Sequence, residues 1–150
     1  MTLISLFAAA LSLSTPPDAR SDFSCLEGVK ITARANRLRD LPEDVKEGLN
    51  FLETHVYTEK IAEAGSPIPQ SDAPSLAEQD YPQARFAQAL LVNDRWFVQI
   101  EVSLWAGVRT ISFFRGGDGR FHFSPSHYFN GPACESIRAA LSGVTTPGRF

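Results

Sequence analysis

From Ala84 to Ser124 the chain reads as strands joined by turns too short to permit anything but antiparallel neighbours. Ala84–Val92 is apolar enough for a central strand, and Asn93-Asp94 is a two-residue turn candidate. Arg95–Ala106 then alternates: Trp96, Val98, Ile100, Val102 and Leu104 point one way, and Phe97, Gln99, Glu101, Ser103 and Trp105 the other. Gly107 breaks the run, Val108–Arg115 is the third strand, and Gly116-Gly117-Asp118-Gly119 turns the chain into a fourth at Arg120–Ser124. Parallel strands need long crossovers, so these short connections predict an antiparallel meander of about four strands.

The flanks add one strand and two helices. Val29, Ile31, Ala33 and Ala35 alternate with Lys30, Thr32 and Arg34, the pattern of a half-buried strand. Asp40-Leu41-Pro42-Glu43 has the spacing of an N-cap and a capping box. Leu41, Val45, Leu49, Leu52 and Val56 follow at helical spacing, so a helix is expected to end between Glu53 and Gly65. Pro132–Leu141 predicts a short C-terminal helix stopped by Gly143. The layout implies an α+β fold, with the meander, the N-terminal strand and helices packed on one face. Residues 65–83 carry four prolines and few large apolar side chains, and they are expected to form a long surface loop within one domain spanning 25–143.

Leu3–Leu13 is an uncharged run followed at once by Ser14-Thr15-Pro16-Pro17. It is too short for the roughly 20 residues of a membrane span but suits the core of a signal peptide. Residues 1–14, extending as far as about 19, are therefore expected to direct export to the periplasm or the medium, leaving no stable membrane span in the mature chain. Asp22, three positions before Cys25, is the wrong residue type for a lipid-anchor site. An exported chain with an even number of cysteines predicts a disulfide, here Cys25 with Cys134. Such a bridge closes a loop of about 110 residues, for which chain entropy gives about 4–5 kcal/mol and delivered values more often run at about 2–4 kcal/mol. The alternative is a reactive Cys134 thiol in the first turn of the last helix, where the dipole favours thiolate and Glu135 opposes it.

Charge and motifs narrow the function classes. The formal net charge of −3, together with export, argues against a nucleic-acid partner. His122 and His127 flank a Ser-Pro segment and are the candidate catalytic or metal-ligating pair, with His55, Asp118 or Glu135 as a third ligand. They form no recognised ligand spacing, the chain has no Gly-x-Ser-x-Gly elbow, and Gly116–Gly119 lacks the lysine ending of a phosphate loop, so no metal or cofactor is expected. Aromatic and arginine residues interleave along the meander, the composition of interface hot spots. Phe97, Trp105, Arg109 and Arg115 are accordingly the candidate binding surface for a possible protein partner. The leading expectation is a non-enzymatic partner-binding or inhibitor-like module. The alternatives are a hydrolase or metal-dependent enzyme using His122 and His127, and a structural envelope domain with no ligand site.

Overall fold

The computed structural model describes residues 26–52, 60–69, 80–103, 107–131 and 133–144, and within the last strand the side chains at 126–128 and 130 are not described. The elements are β1 (Ile31–Ala35), a one-turn 3-10 helix (Leu38–Asp40), α1 (Glu43–Leu52), β2 (Ile61–Ala62), β3 (Ala84–Val92), β4 (Arg95–Val102), β5 (Gly107–Arg115), β6 (Phe121–Asn130) and α2 (Ala133–Leu141). They build a six-stranded sheet in the order β1-β3-β4-β5-β6, with β2 also paired to β3. All pairings are antiparallel except β2 with β3. The α+β class and the meander are as expected. The signal segment, Cys25, His55, Val56 and Trp105 lie outside the described residues.

The meander forms because its turns fit its strands. Asn93 and Asp94 both take positive φ, 49° and 56°, as a two-residue hairpin with the right twist demands. β4 then pairs along its whole length with β3 on one side and β5 on the other. The expectation that the helices pack on one face is corrected. Trp96, Val98, Ile100 and Val102 of β4 share a core with Leu41 and with Val45, Leu49 and Leu52 of α1. Phe97 belongs instead to a second core, with Leu90, Val92 and Phe129 and with Ala133, Cys134, Ile137 and Ala140 of α2. Successive strand residues point to opposite faces, so α1 covers one face of the sheet and α2 the other. The reason is that both faces of β3 and β4 carry apolar side chains, and each needs a covering layer.

Irregular pairing accounts for the other departures. Val29, Ile31, Ala33 and Ala35 were expected on one face, but the β1–β3 register shifts between Ile31 and Ala33. Val29 and Ile31 therefore pack into the α2 core, and Ala33 and Ala35 into the α1 core. At the shift the Thr32 hydroxyl donates to the Leu91 carbonyl at 3.1 Å. Asp40 does not cap α1. It ends the 3-10 turn, and the first helical bond runs from the Lys46 amide to the Pro42 carbonyl at 3.1 Å. β2 precedes the segment 65–83, whose Ile68 is buried; residues 70–79 of the expected loop lie outside the described residues. The last strand runs past Ser124 to Asn130. Phe123 lies opposite Phe113 and Tyr128 opposite Ile111, so the four residues Ser124 to His127 of β6 face Ser112 alone. This is an enlarged bulge, beyond the usual two-against-one, which bends a strand and interrupts its ladder.

At the end of α2, Gly143 adopts φ 76°. Its amide bonds to the Ala140 carbonyl and the Val144 amide to Ala139, which satisfies carbonyls that the helix would leave bare. Inside α1, Gly48 has a different role. A β-carbon there would stand 2.5 Å from Cε1 of Phe113, a fully buried ring. Alanine gains about 1 kcal/mol in helix propensity over glycine, whereas forcing atoms into a packed core costs about 1–3 kcal/mol. Packing should win. Gly48→Ala is expected to lower the melting temperature, and Gly48→Ala with Phe113→Leu to recover part of the loss. A melting temperature raised by Gly48→Ala alone would show that propensity decides at this site.

Candidate functional site

The β5–β6 hairpin ends in a compact polar cluster. The Gly116 amide donates to the Arg120 carbonyl at 2.8 Å and the Gly119 amide to the Gly116 carbonyl at 3.0 Å, which closes the turn. Asp118 then faces inward across it. Its carboxylate accepts the Arg120 amide at 3.1 Å and lies 2.9 Å from the His122 Nε2 through either oxygen. A β-carbon on Gly116 would come within 2.7 Å of both Asp118 Oδ1 and the imidazole Cδ2. Glycine at 116 is thus what lets the acid and the imidazole meet over the backbone.

Phe114 and His122 are partners in register, their ring centroids 5.9 Å apart. They share the α2 side of the sheet with Arg95 of β4, which lies opposite Phe114. Arg115 and Phe121 occupy the α1 side, with the guanidinium 4.4 Å over the ring. Arg115 also reaches Asp94 in the β3–β4 turn at 3.4 Å and the Gly119 carbonyl at 3.0 Å. The hairpin is tied to α1 twice. Asp44 accepts the Phe121 amide at 2.6 Å, and Glu47 accepts from Arg120 at 2.6 Å.

The sequence-derived candidates separate in space. Phe97 is corrected: it is 1% exposed beneath α2 and offers no binding surface. The alternation of β4 was legible, but nothing in it showed that a second helix would cover the Phe97 face. Trp105 lies outside the described residues. Arg109 is half-buried near the other end of β5, opposite Asn130, and does not join Arg115. Arg115 keeps 43% of its side-chain surface exposed. His122 is at the hairpin end with Asp118. The backbone of His127 belongs to the β6 bulge, and its side chain is outside the described set. No group of three His, Cys, Asp or Glu able to hold a metal occurs among the described residues. Cys134 is buried in the α2 core, and no cysteine among the described residues is free.

Two features escaped the sequence reading. One is Phe114, 39% exposed at the end of a strand that is buried from Thr110 to Phe113. Its place beyond the end of the α2 core was not encoded in any local pattern. The other is a polar layer across the α2 side of the sheet. Gln88 donates to Gln99 at 2.6 Å, Thr110 stands beside Gln99, and Arg85 pairs with Glu101 at 2.5 Å while donating to the Ser66 carbonyl at 2.8 Å. The signal for it was a glutamine in the middle of each of the two central strands. Ser112 and Trp96 each bury a polar atom, Oγ and Nε1, with no hydrogen-bond partner among the described residues.

The hydrogen bond from the His122 imidazole, and after it the Arg120 amide, holds the Asp118 carboxyl below its ordinary value of 3.8. A carboxyl lowered in the folded state adds stability above its ordinary range and loses it as pH falls through the lowered value. An NMR titration should therefore place the Asp118 midpoint below 3.8, with the Arg120 amide shift following it, and His122→Ala should move the midpoint upward. A wild-type midpoint at or above 3.8 would contradict the arrangement.

No protein family, no curated protein and no solved structure matches this chain.

Proposed function

We propose that this chain is a small exported protein, periplasmic or secreted, that acts without catalysis by binding a protein partner through the β5–β6 end of its sheet. The observation that carries the reading is Phe114, an exposed phenyl set between His122 and Arg95 with Arg115 on the adjoining side. Aromatic and arginine side chains held rigidly at a surface are the usual anchors of protein interfaces. Rigidity is supplied here by the Asp118–His122 pair and by the two ties to α1. The binding surface thus moves from the Phe97 face to the hairpin end, and Arg115 is the candidate that stays.

A second reading, a hydrolase or metal-dependent enzyme using His122 and His127, draws support from the Asp118–His122 geometry, because an acid that orients an imidazole is a recurring catalytic device. It needs a nucleophile or a third ligand beside that pair, and the partner-binding reading needs neither.

The export half of the proposal includes the Cys25–Cys134 bridge. Cys134→Ser is then expected to destabilise the oxidised protein by about 2–5 kcal/mol in denaturant melts. An unchanged midpoint, or two titratable thiols in native material, would remove the bridge and the argument for an oxidising compartment. For the surface, a photo-crosslinking benzoylphenylalanine at position 114 should give one discrete adduct in the producing cells, weakened by Arg115→Ala. The same probe at Glu43, whose side chain is 76% exposed on α1, should give none. No adduct at 114, or the same adduct from both positions, would overturn the reading.

A further inference from the structure

We infer that the hairpin end receives an acidic segment of the partner protein, with Arg95 as the charge anchor beside Phe114; this rests on the partner-binding reading above. Arg95, Phe114 and His122 lie in register across β4, β5 and β6 on one face of the sheet. Neighbouring strands stand about 4.8 Å apart, so the guanidinium and the imidazole flank the phenyl within reach of adjacent side chains of one bound segment. The charges at this end are otherwise committed. Arg115 is paired with Asp94, Arg120 with Glu47, and Asp118 faces the His122 imidazole and the Arg120 amide. The Arg95 side chain makes no hydrogen bond or ion pair with another described residue, although it is half-buried next to an exposed ring.

A cation that has no counterion among the described residues and lies beside apolar surface is complementary to a carboxylate next to an apolar side chain, and a cationic segment would meet it with repulsion. On β4 the α2 core ends one row inward, at Phe97, while in the row of Arg95 itself it still covers Val92 on β3. Past that cover, Arg95, Phe114 and His122 keep surface on this face that a second chain can reach. The partner class is a protein segment that interleaves Asp or Glu with aliphatic or aromatic residues.

The test uses the full chain and a fluorescein-labelled octapeptide of alternating Glu and Leu, with alternating Lys-Leu and Glu-Ser octapeptides as controls, read by fluorescence anisotropy. The Glu-Leu peptide should bind, and added salt should weaken it. Arg95→Gln should reduce affinity about tenfold while leaving the melting temperature unchanged, Arg95→Lys should retain most of it, and Phe114→Ser should reduce it as Arg95→Gln does. Absence of Glu-Leu binding, equal binding of Lys-Leu, or indifference to Arg95→Gln would overturn the inference. If the adduct from position 114 persists unchanged in Arg95→Gln, the partner-binding reading stands and only the acidic character of the partner falls. Loss of that adduct from the wild-type background removes the reading itself.

Discussion

Burial of β4 on both sides is the constraint from which the rest of the molecule follows. Its two inner neighbours supply the backbone partners, so what distinguishes the faces is only what lies above and below. Trp96, Val98 and Ile100 demand one apolar cover and Phe97 another. A single helix cannot provide both. The chain meets this by placing α1 before the meander and α2 after it, on opposite sides. Polar side chains fill the part of the α2 face that the apolar core leaves over. There Gln88 and Gln99 satisfy each other, as buried amides must.

How much of this was legible depends on whether the controlling physics is local. The turn at Asn93-Asp94, the alternation of β4 and the apolar stripe of α1 are set by neighbours a few residues apart, and each was read directly. The register shift that sends Ile31 and Ala33 into different cores depends on β3, some sixty residues away, and was invisible. So was β2, whose two residues pair with Ala84 and Arg85 and have no strand pattern of their own. The site shows the same division. Arg115 and His122 were legible as residue types in a suggestive segment. Phe97 was misplaced because its exposure depends on where α2 comes to rest, and Phe114 and Arg95 were passed over for the same reason.

The hairpin end combines an exposed surface with a stiff support. Asp118 orients His122, Arg115 lies across Phe121, and carboxylates from α1 hold the Arg120 side chain and the Phe121 amide. None of these contacts is individually strong at the surface, where water and salt screen ion pairs. Their effect is to leave the turn few alternative conformations. A surface that is already ordered loses less conformational freedom when it is covered.

The enlarged bulge in β6 bears on what happens at the rim of the sheet. A long outer strand with an unbroken row of amides and carbonyls is a template on which further chains can stack into fibres. In β6 the ladder is interrupted between Phe123 and Tyr128, and the interruption contains Pro125, which has no amide hydrogen to offer. The regular stretches on either side, Phe121–Phe123 and Tyr128–Asn130, are short, which makes that flank a poor template for edge-to-edge addition of a second molecule.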